Sequence, residues 1–317
     1  MDAFDDYLDI IRGQDKTDGT IKQYDRGLEL FGEWLVDQSL EPAAVTTRDL
    51  QRYLSWLKGT RGYAPKTIRG YFSAVSGFYS DLKSAGEIDA DPTEDIDLKK
   101  YAPKETMKER QTRERRVWLT KDQMGQLVEN VPKPVVRNRL VVLFQYYTGL
   151  RRDEVVSVRL DDLDREQRQV RVRGKNNTIH TAHWQPKLDG LLQTWLDGGY
   201  RAASPYAGDS PYLFLTESSP QMNGGVVNDI VVQAAENAGI QETLYTDAAG
   251  NDHNKYTSHA LRHSFAMHWL ENGGSIEGLS KHLAHQSVTT TEIYGEILEE
   301  RASEEYEQFA PDIDFEL

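Results

Sequence analysis

The stretch TGLRRDE, residues 148–154, ends one predicted helix and begins another. Its glycine closes an apolar helical run that starts near Val135, and a new helix is expected near Asp153. Arg151 lies at the turn between them, where a guanidinium offers a planar set of donors to an anion. Glu154, three residues later, could orient Arg151 instead of facing solvent. A salt-bridged surface arginine is the alternative interpretation.

A second stretch, SHALRH at residues 258–263, predicts a helix with an anion-binding face. Ser258 is expected to cap this helix. His259 and Arg262 are three residues apart and therefore share a face, and an imidazole beside a guanidinium suits an anion better than a metal. Two alternatives stay open. His259 and His263 have the spacing of a helical zinc pair, although no glutamate follows His259, and a capped helix with incidental polar residues is the other.

Three further residues gain significance only in combination with these stretches. Lys175 lies between residues 169–173 and 178–181, whose alternating pattern predicts a β-hairpin. A lysine on such a hairpin could donate a proton. His285 and Tyr294 follow late in the chain. Taken alone, a turn lysine is normally inert and a lone tyrosine is normally a packing residue.

The whole chain predicts two domains, because 317 residues exceed one ordinary domain. Residues 1–100 carry apolar residues at helical spacing and predict a small all-helical domain. Residues 101–116 have many bases and no apolar period, which is typical of a linker. Residues 117–317 predict a second domain with a hairpin among helices and an acidic C-terminal helix or tail. Thr120 is expected to cap the first helix there, which contains Met124 and Leu127. Further helices are expected near residues 135–147, 187–196, 226–238, 259–271, 276–283 and 290–300.

The charge is acidic overall but unevenly spread. The chain has 37 basic and 51 acidic residues, a net charge of −14, which as a whole argues against a polyanionic partner because phosphate binding uses Lys and Arg. Residues 50–80, however, hold five bases and no acid, and residues 99–116 hold eight bases and three acids. A solvated face is the simpler interpretation of such runs. The acid excess also suggests, as a hypothesis, adaptation to high salt.

Composition excludes several classes of protein. Cysteine is absent, which rules out disulfides, a thiolate nucleophile and a cysteine zinc site. The mean hydropathy is −0.65 and no apolar run is long enough for a membrane span. The acidic start is unlike a secretory signal. A cytoplasmic protein is therefore expected.

In their joint order, these motifs resemble those of the tyrosine recombinases, the phage integrase family. The resemblance covers nearly the whole chain. Its motifs are TGLR at 148–151 with Glu154, Gly174–Lys175, HxLRHSFA at 259–266, LAH at 283–285 and TxxY at 291–294. Two departures are visible: Ala284 stands where the family usually has glycine, and Gly295–Glu296 follow the tyrosine. Neither is at a position expected to act on phosphate.

The resemblance implies a mostly α fold with a small β-hairpin or sheet, in which a SAM-like core-binding domain precedes a catalytic domain. It implies a site-specific recombinase that breaks and rejoins DNA strands through a covalent 3′-phosphotyrosyl intermediate without metal, cofactor or ATP. The implied catalytic residues, with Glu154 in support, are Arg151, Lys175, His259, Arg262, His285 and Tyr294.

The resemblance also implies the partners, which are double-stranded DNA at specific sites and further copies of the chain in a tetramer on DNA. Lys66 and Arg69 are the predicted DNA contacts of the first domain. Three alternatives stay open. One is a type IB-like topoisomerase, which cuts and reseals one strand without exchanging partners. The others are a DNA-binding relative that has lost catalysis and a metal-dependent nuclease.

Overall fold

The computed structural model describes residues 2–14, 16, 18–104, 117–174, 179–246 and 252–283. The chain divides into two compact units, one made of residues 1–106 and 245–253 and the other of residues 107–244 and 254–317. The described part is mostly helical with short antiparallel strands, which confirms the predicted fold class. None of its helices combines the length and the apolar character that crossing a bilayer requires.

Helices make up the regular structure of residues 2–104 in the first unit, and two of them have clear capping residues. The helices are α1 (Asp2–Arg12), α2 (Asp18–Gln38), α3 (Thr47–Gly59), α4 (Pro65–Ala85) and α5 (Leu98–Tyr101). Thr46 and Asp49 form a reciprocal capping box at the start of α3. Pro65 opens α4, and Gly86 closes it in the left-handed conformation with φ of 77°.

Aromatic side chains fill the core of this unit. Phe31 and Tyr53 meet edge to face with ring centroids 4.9 Å apart, and Phe4 and Phe78 do so at 4.7 Å. These four side chains are buried, and edge-to-face pairs of this kind stabilise a core beyond the area they bury. The aromatic residues of the base-rich stretch 50–80 therefore include core residues.

The second unit alternates helices with short strands. Its described elements are α6 (Lys121–Glu129), α7 (Val135–Thr148), α8 (Arg152–Ser157), β1 (Leu163–Asp164), β2 (Gln169–Arg173), β3 (Ile179–His183), α9 (Asp189–Asp197), α10 (Gly224–Asn237), α11 (Ser258–Glu271) and α12 (Ile276–His282). Between α10 and α11 the chain forms β4 (Thr243–Thr246) and β5 (Asp252–Asn254), whose residues within 245–253 belong to the first unit. The predicted helix at 290–300 lies outside the described residues.

The strands form two small antiparallel sheets. One has the order β1-β2-β3, and the other pairs β4 with β5. In the register of β2 and β3, Val170 lies opposite Ala182 and Val172 opposite His180. Val170, Val172 and Ala182 are buried, so this register turns the side chains of positions 180 and 182 toward the interior.

The structure adds three strands that the sequence pattern did not predict. These are β1, β4 and β5, which have two, four and three residues. Runs this short are too brief to show an alternating apolar pattern, so the sequence cannot predict them as strands. They form because a partner strand pairs with them. The predicted hairpin strands β2 and β3 are present, and β3 extends to His183.

Candidate active site

The centre of the site is the turn between α7 and α8. Gly149 ends α7 in the left-handed conformation, with φ of 65°. A Cβ at this position would lie 2.6 Å from Cδ2 of Leu283 and 2.8 Å from Cδ1 of Phe265. Both the backbone conformation and the close approach of these side chains therefore require glycine. The turn brings Arg151 directly to the N-terminus of α8.

Arg151 is held by the carboxylate of Glu154. Its backbone N–H donates to Oε2 at 2.8 Å, and its Nη1 donates to Oε1 at 2.9 Å. The Glu154 side chain is only 8% exposed, whereas that of Arg151 is 48% exposed. A buried carboxylate thus orients a guanidinium that is still accessible to a ligand.

Arg262 comes to the same turn from a distant part of the sequence. It lies in the second turn of α11 and is buried. Its Nη1 donates to the carbonyl oxygen of Gly149 at 2.6 Å, and its Nη2 donates to that of Leu283 at 2.9 Å. The planar guanidinium can serve both carbonyls at once, which joins α11 to the residues around Arg151.

The start of α11 differs from the prediction that Ser258 caps it. Ser258 is instead the first helical residue, and Thr257 occupies the cap position without a side-chain hydrogen bond. The Ser258 backbone N–H donates to Oδ1 of Asn228 at 3.3 Å, so a residue of α10 satisfies a donor of this helix end. His259 follows in an exposed position, with its ring centroid 4.5 Å from that of His263.

Three of the predicted site residues lie outside the described residues. These are Lys175, His285 and Tyr294. Gly174 and Leu283 are the described residues that precede them in the chain. Of the predicted site residues, the structure therefore describes Arg151, Glu154, Arg262 and His259. Hydrogen bonds bring the first three to the Gly149 turn, and His259 lies exposed beside His263.

Two histidines that the sequence did not assign to the site lie close to these groups. His282, at the end of α12, makes a hydrogen bond of 3.0 Å between Nε2 and the carbonyl oxygen of Thr148, and burial lowers the pKa of its imidazole. His180 of β3 also has a lowered pKa. Burial is the main cause, and the charges of Arg262 and Arg151 also lower this pKa, whereas that of Glu154 raises it. The alternation of β3 could have indicated the inward direction of His180, but not what it faces.

In the first unit, the two predicted DNA contacts differ in their surroundings. Lys66 is exposed near the start of α4. Arg69 is partly buried, and its Nη1 donates to the carbonyl oxygens of Ala102, at 2.9 Å, and Pro103. Its guanidinium is thus engaged with backbone of the same unit, whereas Lys66 points toward solvent.

In the folded unit, two bases of the stretch 50–80 pair with acidic residues from outside the stretch. Arg61 forms an ion pair with Glu33 at 2.7 Å, and Arg52 forms one with Asp49 at 3.4 Å. The acids belong to α2 and to the preceding turn of α3. Part of the positive charge of this stretch is therefore neutralised within the unit. Among the residues the structure describes, no group of three or more His, Asp or Glu could hold a metal ion.

Comparison with known proteins connects both units to one family. A sequence model of the phage integrase family matches residues 117–301, and a model of the N-terminal SAM-like domain of phage integrases matches residues 1–85. The tyrosine recombinase XerA of Pyrococcus furiosus is 29% identical over 315 residues, which cover 97% of this chain and 93% of that protein.

Solved structures share the fold. XerH recombinase, in a post-cleavage complex with a palindromic difH substrate, has a TM-score of 0.66 at 20% identity and covers 90% of this chain and 78% of its own. A lambda integrase tetramer bound to a Holliday junction has a TM-score of 0.62 at 15% identity, over 90% of this chain and 77% of its own.

Proposed function

Because this chain belongs to the phage integrase family, the tyrosine recombinases, we propose that it is a site-specific DNA recombinase. It breaks and rejoins DNA strands through a covalent 3′-phosphotyrosyl intermediate. The supporting observation is the convergence of Arg151 and Arg262 at the Gly149 turn, where Glu154 orients one guanidinium and two carbonyls hold the other.

Two guanidiniums in this arrangement suit the chemistry of a phosphodiester. In-line attack on phosphorus builds negative charge on the nonbridging oxygens, and arginine donates to such oxygens in bidentate fashion. Donors that are already positioned before the reaction stabilise this charge without reorganisation. Arg151 and Arg262 thereby supply the charge stabilisation that a metal ion supplies in other phosphoryl-transfer enzymes.

The remaining roles follow from the family motifs. The Tyr294 oxygen attacks phosphorus and displaces the 5′-oxygen of the DNA strand. A phenol has a pKa of about 10 and needs a base, and His259 takes this proton. Lys175 protonates the departing 5′-oxygen, and His285 donates a further hydrogen bond to the phosphate. Attack by the 5′-hydroxyl of a second strand restores the phosphodiester and frees Tyr294, so the bond energy is kept and no ATP is consumed.

The proposal includes how the chain acts on DNA. Residues 1–100 and 117–317 grip double-stranded DNA at specific sites and are joined by a basic linker at 101–116. Lys66 and Arg69 contact DNA, and the chain assembles as a tetramer on two sites in the cytoplasm. Tetrameric lambda integrase on a Holliday junction, whose fold this chain shares, supports the tetramer. Since Arg69 is bound to backbone carbonyls, Lys66 is the better supported of the two contacts.

Covalent trapping on a nicked suicide substrate tests this function. The wild-type chain is expected to form a protein–DNA adduct that persists in EDTA, and Tyr294→Phe is expected to form none because the attacking oxygen is gone. Tyr306→Phe is the matched control, since it removes a phenol oxygen from the same part of the chain. An adduct in Tyr294→Phe would remove this residue from its role.

Recombination of two-site DNA, used together with trapping, separates the alternatives. A topoisomerase would relax supercoils but would not exchange strands between two-site DNAs. A relative without catalysis would bind DNA and form no adduct, and a metal-dependent nuclease would lose activity in EDTA.

A further inference from the structure

His180 lies in the middle of β3, opposite Val172 of β2. Its ring is on the inner side of the sheet, whereas its neighbours Ile179 and Thr181 are exposed. Both ring nitrogens are shielded from solvent, and neither has a hydrogen-bond partner within the part of the chain that the structure describes. Among the described side chains with a buried, unpartnered polar atom, His180 is the one with two such atoms, since each of the others contributes a single atom.

Charged groups of the candidate active site act electrostatically on this imidazole. Glu154 and Arg151 act on it from α8 and its N-terminus, and Arg262 acts on it from α11. His180 in turn acts on His282 of α12. Burial and the two arginines favour the neutral form of His180, which has one N–H donor and one nitrogen acceptor.

Such a group does not stabilise the fold. A buried polar atom without a partner costs free energy, and an apolar side chain of similar size would avoid that cost. Val170, Val172 and Ala182 show that the inner side of this sheet accepts apolar residues. A histidine with two unpartnered ring nitrogens at this point, within the electrostatic influence of two arginines, therefore indicates a partner that arrives with the substrate.

We propose that His180 is a positioning residue for DNA strand cleavage. As charge builds on a phosphate held by Arg151 and Arg262, the neutral imidazole accepts a hydrogen bond from one of the two guanidiniums and keeps it directed at the phosphate. The interaction forms as the transition state of cleavage is reached, so it contributes to the rate and not to DNA affinity or to the stability of the free protein. This inference rests on the proposed recombinase function.

Single-turnover cleavage of the nicked substrate by the full chain tests the role. His180→Leu is expected to slow adduct formation by about tenfold or more, the effect of losing one hydrogen bond to a charged group. Its affinity for DNA and its midpoint of thermal unfolding are expected to stay at or above the wild-type values. His180→Gln, which keeps a donor and an acceptor, is expected to restore most of the rate. Thr181→Ala, on the exposed side of the same strand, is the control and should cleave like the wild type.

Each contrary result has a distinct meaning. Wild-type cleavage by His180→Leu would overturn the positioning role while leaving the recombinase function intact. Loss of stability in His180→Leu, or equal loss of activity in the Leu and Gln variants, would assign the imidazole to the fold and also overturn it. Absence of an adduct with the wild-type chain would overturn the recombinase function and the inference together.

Discussion

Glu154 controls the geometry of Arg151 at the scale of single residues. Its two oxygens accept from different donors, the backbone N–H and the guanidinium of the same arginine. The pair fixes both the start of α8 and the direction of the side chain. Because Glu154 is buried and Arg151 is half exposed, the rigid partner is the carboxylate.

Glu154→Gln is expected to impair cleavage without preventing DNA binding. Glutamine keeps one acceptor but places an amide N–H2 against the second donor, which we expect to cost about 1–3 kcal/mol of stability. Released from its partner, Arg151 no longer points toward the phosphate, and adduct formation falls by about tenfold or more. Thermal unfolding and single-turnover trapping measure the two effects.

The adjacent carboxylate provides a matched control for this variant. Asp153 is 81% exposed and pairs with Arg152, so Asp153→Asn removes one negative charge from the same turn without touching Arg151. Wild-type cleavage is expected for it. Equal cleavage by Glu154→Gln and the wild type would show that Arg151 does not depend on the buried carboxylate.

At the scale of elements, the Gly149 turn joins three helices. It ends α7, its carbonyl accepts from Arg262 of α11, and Leu283 and Phe265 pack against its Cα. Arg262 is a buried charge whose cost is offset by hydrogen bonds to two carbonyls that must both stay in place. A displacement of this turn would therefore move both arginines of the site.

Gly149→Ala tests that dependence, with Gly239→Ala as its control. Both glycines have positive φ, 65° and 68°, but a Cβ at Gly239 has no neighbour within 4 Å. Gly239→Ala should cost about 1–2 kcal/mol from backbone strain alone and leave cleavage unchanged. Gly149→Ala adds the clash with Leu283 and Phe265, so we expect a larger loss of stability and a loss of adduct. Similar unfolding midpoints for the two variants would contradict the close packing.

At the scale of the whole molecule, the net charge of −14 opposes compaction. Described ion pairs such as Arg165–Asp197, at 2.7 Å, are exposed and contribute little in return. We therefore expect mutual repulsion among the excess acids to destabilise the fold more than such exposed pairs stabilise it.

Salt is expected to stabilise the chain. The Debye screening length shortens from about 10 Å at 0.1 M to about 3 Å at 1 M ionic strength. Higher salt therefore weakens the repulsion between the acids. The midpoint of thermal unfolding should therefore rise steeply with KCl up to this range. Sucrose, which is excluded from the protein surface but does not screen charge, is the control. Equal stability in dilute and multimolar KCl would count against the high-salt hypothesis.

The sequence by itself determined the helices and the motif set. Periodic apolar residues marked the long helices, and cap residues such as Thr120, whose hydroxyl accepts from the Gln123 backbone N–H, marked their ends. Alternation marked β2 and β3. These signals are readable because they depend on backbone preferences and on neighbours three or four residues away.

Only the tertiary structure decided which distant groups meet. The contact of Arg262 with Gly149 joins residues 113 positions apart, and the pairing of Arg61 with Glu33 removes charge from a stretch that is free of acid in sequence. His180 gained its significance in the same way, from two unpartnered ring nitrogens and from the electrostatic influence of Arg151 and Arg262. Such contacts depend on how whole elements pack, and no periodicity within one element encodes the partner that packing brings to it.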